Sequence, residues 1–234
     1  MPIVFASISP HPPIILPSVG SKEDREKVKK TIESLEFLGR ELKKASPDKV
    51  IISAPHPDWG FNVPLFFLAR RLRRPKATSS AEGRSLGEGG LPKDFKGEIE
   101  QILIGLESPR FYFEEGTKFP ISNFQFPNKS QIPDSKIALI ASGDLSHCLK
   151  EDGPYGFHPD GPKFDKKLIE ALKKKDIETI LKLDEMYPEA GECGLRSFCF
   201  LLGILEASGL NWQPEILSYE GPFGVGYLVA DFKF

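Results

Sequence analysis

Three of the four histidines in this 234-residue chain follow short apolar runs, at turns that proline stiffens or glycine tightens. His11 stands in Ser9-Pro10-His11-Pro12-Pro13, His56 in Ala54-Pro55-His56-Pro57, and His147 closes Ser142-Gly143-Asp144-Leu145-Ser146-His147. A lone histidine is more often structural than functional; a shared context at three positions points to one site. His11 and His56 would offer two neutral imidazoles to a divalent metal, which then needs a third protein donor.

Glu192 and Cys193 compete for that place. Glu192 opens a buried helical run between glycines, and two histidines plus one carboxylate leave one face of an octahedral metal open. Non-haem iron(II) enzymes that bind substrate and O2 together use that arrangement. The plainer reading of Glu192 is a helix-capping carboxylate, worth about 0.3 to 1 kcal/mol. Cys193 is the other alternative, because a helix N-terminus favours a thiolate. Iron(II) is the metal the pattern favours, with zinc(II), manganese(II) or copper compatible with the donors. His147 suits an acid/base group, with Asp144 three residues before it. His158, in Tyr155-Gly156-Phe157-His158-Pro159, reads as loop structure, and Cys148 and Cys199 as small buried residues.

These residues require strands that end where the histidines begin. Ile3 to Ile8, Lys49 to Ser53 and Lys136 to Ala141 are short runs of the kind found in buried parallel strands. Val28, Ile32, Leu35, Leu38 and Leu42 recur at helical steps, so one amphipathic helix is expected over 21–45, with Ser21 as N-cap. Arg70 to Pro92 reads as an exposed loop. Phe164 to Leu172 and Ile177 to Leu183 read as two short helices, Leu195 to Leu205 as a buried helix, and Ile216 to Tyr219 and Gly224 to Phe232 as closing strands. Strand-helix-strand order defines an α/β class, and ligands of open α/β sheets bind beyond the carboxyl ends of strands. No repeat or long linker divides the chain, so one domain, 1–234, is expected.

Composition narrows the partners. With 31 Lys plus Arg against 33 Asp plus Glu, the formal charge is -2, which provides no basic field for nucleic acid. Three cysteines without a CxxC pair make neither a disulfide framework nor a zinc ribbon. Residues 1–9 lack the basic start of a secretory signal, and no apolar window reaches the ~18 residues of a membrane span. A soluble, cytoplasmic protein without nucleic-acid or membrane partners is expected. The Phe-rich segment 111–126 suits either a pocket lining or a subunit interface, which leaves a homo-oligomer open.

The stretches Ile8-Ser-Pro-His-Pro-Pro-Ile14, Ser53-Ala-Pro-His-Pro-Asp-Trp-Gly60, Val63-Pro-Leu-Phe-Phe-Leu68, Ser142-Gly-Asp-Leu-Ser-His147 and Gly191-Glu-Cys-Gly-Leu-Arg196 together resemble the catalytic B subunit of class III extradiol ring-cleavage dioxygenases and the related Memo proteins. They extend from residue 8 to about 205. The resemblance implies a single-domain α/β/α sandwich around a mixed β-sheet. It also implies iron(II) on His11, His56 and Glu192, with His147 as acid/base. The implied partners are a small catechol-like aromatic substrate and O2, both of whose atoms enter the opened ring. Memo-like sequences carry a cysteine at the place of Cys193, which leaves the third ligand between Glu192 and Cys193. A Memo-like protein without ring cleavage and a metal-dependent hydrolase are the alternative functions.

Overall fold

The computed structural model describes residues 3–69, 97–120 and 135–234. The expected loop Arg70 to Pro92 lies outside the described residues, as does the end of the Phe-rich segment. Among the described residues, six strands form one mixed sheet in the order β3-β2-β4-β1-β6-β5: β1 (Ile3–Ser9), β2 (Lys49–Ala54), β3 (Glu98–Leu103), β4 (Ile137–Ser142), β5 (Gln213–Glu220) and β6 (Tyr227–Lys233). Strands β3, β2, β4 and β1 run parallel, whereas β6 is antiparallel to both β1 and β5. Every residue of β2 and β4 is buried, as expected of strands covered on both faces.

Helices cover both faces. On one, α2 (Lys29–Ala45) and α3 (Trp59–Leu68) place Leu35, Leu38, Leu42, Phe61 and Leu65 over Val50, Ile52 and Ile140. On the other, α5 (Asp160–Lys174) and α8 (Leu195–Ala207) bury Phe164, Leu168, Phe198 and Leu202 against Ile8, Ile51 and Leu139. The expected α/β/α sandwich is therefore the observed fold. The short helix α4 (Pro109–Lys118) packs on α8, and Phe119 just beyond it meets Phe200 at 5.3 Å between ring centroids.

Two local expectations differ from the structure. The helix expected over 21–45 is interrupted at Val28 (φ -117°, ψ 29°), giving α1 (Lys22–Lys27) and α2. Ser21 does cap α1, accepting the Asp24 N–H at 3.0 Å. The interruption exposes a second helix N-terminus, and the Glu220 carboxylate from β5 satisfies it by accepting the Thr31 N–H at 2.8 Å and its hydroxyl at 2.7 Å. The second short helix expected at 177–183 is two single turns, α6 (Ile177–Ile180) and α7 (Leu183–Met186). No helix among the described residues is long and apolar enough to cross a membrane.

Candidate metal centre

Strand β4 lies between β2 and β1, both of which precede it in the chain. This reversal of strand order opens a crevice at the carboxyl ends of three adjacent parallel strands. His11 leaves β1 and His56 leaves β2 at that edge, while the loop 143–148 leaves β4 between them. The register aligns Ser9 with Ser142 and Ser53 with Ala141, so the three exits stand at one height.

The fourth segment of the site arrives from the turn before α8. Gly143 and Gly194 touch back to back: a Cβ on Gly143 would lie 2.1 Å from the Gly194 Cα. That contact admits only hydrogen at position 143, and the Phe198 ring, 2.4 Å from where a Cβ on Gly194 would lie, does the same at 194. The Asp144 carbonyl accepts the Gly194 N–H at 3.0 Å, and the Asp144 N–H points at Cys193 Sγ at 3.3 Å. Cys193 is thereby held over the strand ends.

Ligand atoms of His11, His56 and Cys193 all lie within 4.8 Å of one another, the converging donor set among the described residues. The His11 and His56 rings meet edge to face with centroids 5.3 Å apart, and Cys193 Sγ is 3.6 Å from His11 Nε2. The tautomer of His11 follows from its neighbours. The Ser142 hydroxyl donates its single proton to the Gly60 carbonyl, so it accepts from His11 Nδ1–H at 3.0 Å. The Nε2 lone pair is left facing Cys193, as a metal ligand requires. Burial, and then the neighbouring His56, push the His11 pKa down to about 3. The ring is thus neutral at physiological pH.

The Asp144 carboxylate accepts the His11 backbone N–H at 2.9 Å. Burial pushes its pKa up to about 6, against the opposing pull of that hydrogen bond and of the nearby histidines. Burial, and then Asp144, also push the Cys193 thiol well above its ordinary range. The expected stabilisation of a thiolate by the helix start is therefore outweighed by burial. Two imidazoles and a thiol around one point fit a mononuclear transition metal.

Glu192 is not part of this set. Its Oε2 accepts the Leu195 N–H at 2.6 Å and its Oε1 pairs with Arg196 at 3.2 Å, so the carboxylate caps α8. Of the two alternatives for the third donor, the geometry brings Cys193 to the histidines. His147 is half-buried beside the site. Its Nδ1–H donates to the Gly191 carbonyl at 2.6 Å, leaving Nε2 as the proton acceptor. Gly191 has a left-handed backbone (φ 62°), the conformation glycine adopts at little cost. Burial lowers the His147 pKa, partly offset by Asp144 and by the hydrogen bond to Gly191. Tyr155 lies edge-on to the ring, with centroids 5.4 Å apart. His158 accepts the Asp160 N–H at 3.2 Å at the start of α5, and Asp58 is exposed before α3 without a side-chain capping bond.

Two supporting residues escaped the sequence reading. Ser142 fixes the His11 tautomer, and its signal was a hydroxyl at the last position of a buried strand. Asp165 accepts the Ser146 N–H at 2.8 Å from within α5. Its signal was an acidic residue on the apolar stripe of Phe164, Leu168 and Leu172.

Fold and donor set define a class: an α/β sandwich with a candidate metal site at a sheet switch point. Residues 128–230 match the family described as the catalytic LigB subunit of aromatic ring-opening dioxygenase. Over those residues, which include His147 and Cys193, the chain is similar to the LigB-like class III extradiol dioxygenases. It is 32% identical over 259 aligned positions to Protein CA_C1420 of Clostridium acetobutylicum, covering 93% of this chain and 55% of that protein. The chain thus spans about half the length of the curated relative it matches. The crystal structure of the uncharacterized protein JW3007 from Escherichia coli K12 superposes with a TM-score of 0.53 at 16% identity, over 97% of this chain and 98% of that one. At that identity the likeness concerns the fold.

Proposed function

We propose that this protein is a non-haem iron(II)-dependent, extradiol-type dioxygenase that opens a catechol-like ring with O2. Similarity to the LigB family over residues 128–230 supports a dioxygenase-like catalytic subunit, and that family generally uses non-haem iron. The observation that carries the reading is the convergence of His11, His56 and Cys193 on one point, beside a neutral histidine whose Nε2 is the basic atom. Bound iron(II) would supply open coordination positions and the redox capacity that O2 chemistry needs. The chain's own residues do the rest. Ser142 keeps His11 Nε2 turned to the metal, Asp144 anchors the His11 backbone, and His147 takes the phenolic proton of the substrate at Nε2.

Cys193 favours a second reading. A thiolate beside two imidazoles departs from the two-histidine, one-carboxylate set of ring-cleaving iron sites, and it suits copper or zinc as well. On that reading the protein is a Memo-like metal-binding protein with a redox or peptide-binding role and no ring cleavage.

Anaerobic loading with iron(II), addition of a catechol panel and then of O2 separates the two. A ring-opened product that absorbs in the near-visible, and is lost in His147→Ala with iron retained, supports the first. Absence of product from the whole panel, with metal held through His11 and His56, overturns ring cleavage and leaves the second.

A further inference from the structure

Loop 143–148 has no regular secondary structure, yet its backbone donors are committed one after another. Leu145 N–H donates to the Gly226 carbonyl at 2.8 Å and His147 N–H to the Gly191 carbonyl at 3.3 Å. Cys148 N–H donates to Ser146 Oγ at 2.9 Å, whose own proton goes to the Ala190 carbonyl at 2.7 Å. Leu149 N–H reaches the Gly224 carbonyl at 3.1 Å. The remaining donor, Ser146 N–H, is taken at 2.8 Å by Asp165 Oδ1. Asp165 is 1% exposed, and its other oxygen accepts the Tyr219 hydroxyl from β5 at 2.6 Å.

A buried carboxylate is costly unless its partners repay the burial. Asp165 is not needed to cap a helix, because it sits inside α5, and no cation among the described residues pairs with it. Its two bonds tie α5 and β5 to the residue immediately before His147. Ser146 in turn ties its hydroxyl to Ala190, next to the Gly191 carbonyl that selects the His147 tautomer. Loss of the Asp165 acceptor would leave Ser146 N–H unpaired in a dry environment, where an unmade bond is costly. The loop would have to move to satisfy it.

We propose that Asp165, clamped by Tyr219, is the positioning residue of His147: through Ser146 it holds the loop so that the imidazole donates from Nδ1 to Gly191 and presents Nε2 to the metal centre. The inference rests on the acid/base role given to His147 under the proposed function, but its geometry is measured without turnover.

With four histidines in the chain, imidazole 15N spectra of the metal-free protein resolve the His147 tautomer directly. Wild type is expected to show an Nδ1–H ring at position 147. Asp165→Ala, which removes the acceptor, should mix the two tautomers, while Asp165→Asn, which keeps an acceptor for Ser146 N–H, should restore the wild-type signal. Tyr219→Phe should shift the signal partway, and it decides the matter should the alanine variant fail to fold. The His11 signal and zinc(II) affinity should stay as in wild type for every folded variant. An unchanged His147 signal in Asp165→Ala, or in Tyr219→Phe where that variant must decide, overturns the proposal. In an active enzyme Asp165→Ala should lower kcat up to about a hundredfold, with little change in KM. Failure of wild type to turn over any catechol would overturn the proposed function while leaving the tautomer result to stand or fall separately.

Discussion

The two sides of loop 143–148 make an instructive pair. Toward the crevice lie Asp144 and the His11, His56 and Cys193 donors; toward α5 lie Ser146, Asp165 and Tyr219. Both sides bury acidic groups, and burial shifts a carboxyl upward on each, Asp144 to about 6 and Asp165 to about 7. Burial and a displaced pKa therefore do not distinguish a reactive site from a scaffold. What distinguishes them is the fate of the lone pairs. Each Asp165 oxygen accepts a bond from the protein, whereas His11 Nε2 is turned by Ser142 toward a point shared with two other metal donors.

Removal of a donor is the strongest way to break this contrast. His11→Ala and Cys193→Ala are each expected to weaken zinc(II) or iron(II) binding by more than a hundredfold, since even supporting residues of metal sites are worth about 10–100-fold. Asp165→Asn should change it less than about threefold, an estimate that follows from its lack of contact with the donors. Competition against a chromophoric chelator reads both. Equal losses on the two sides would erase the distinction.

Ser142→Ala comes next. It removes the hydroxyl that accepts from His11 Nδ1–H, and the freed ring can rotate or change tautomer. A loss of about 10–100-fold in metal affinity is expected, with the fold retained. Gly143→Ala attacks the same side through packing. Its methyl would enter the Gly194 backbone, so the turn carrying Cys193 must retreat, at an expected cost of about 1–3 kcal/mol by urea denaturation.

His11 on one side and Asp165 on the other answer pH with opposite signs, and Asp144, raised to about 6, adds to the Asp165 trend. His11 has a folded pKa of about 3, below its unfolded value of about 6.5. Between those values the unfolded chain binds the extra proton, so metal-free stability falls as pH drops from about 6.5 toward 3, approaching 1.4 kcal/mol per unit. Asp165 has a folded pKa of about 7, above its unfolded value of about 3.9. There the folded protein binds the extra proton, and stability falls as pH rises from about 4 through 7. Asp165→Asn should reduce the second decline, most of all between about pH 6 and 7 where Asp144 no longer contributes, and leave the first. Urea midpoints measured from pH 4 to pH 8 test this; an unaltered profile would show that Asp165 is not the group responsible.

The crevice was more legible in the sequence than its support. Strands β1, β2 and β4 are central and covered on both faces, so each is a largely apolar run, and the histidine beyond each exit stands out against it. Strand β3 was not legible, because Glu98-Ile-Glu-Gln-Ile-Leu103 is an edge strand whose alternate residues face outward. The interruption at Val28 escaped for another reason: a buried valine fits the helical period equally well on either side of a break. Asp165 owes its role to Ser146, which is distant in sequence, and no local pattern reveals such a pairing. The third donor was legible only as a choice between neighbours. Residues 192 and 193 differ in orientation, and what orients them is the contact of Gly143 with Gly194, a tertiary event.

That choice yields the smallest effect and the most local test. Glu192 holds the first turn of α8 through Leu195 N–H and meets Arg196 at 3.2 Å; Arg196 in turn donates to the Glu107 carbonyl at 2.6 Å. Glu192→Gln keeps an oxygen for the cap but loses the charge opposite Arg196, and should cost about 1 kcal/mol of stability. Metal affinity should remain at the wild-type value, because neither oxygen belongs to the converging set. Cys193→Ser, one residue away, keeps nearly the same volume and should still lose most of the affinity, since a hydroxyl replaces the thiolate. If Glu192→Gln instead lowered metal binding as far as Cys193→Ser, the carboxylate would have to leave α8 when metal enters. Leu195 N–H would then lose its acceptor, a change that amide exchange at the start of α8 would register.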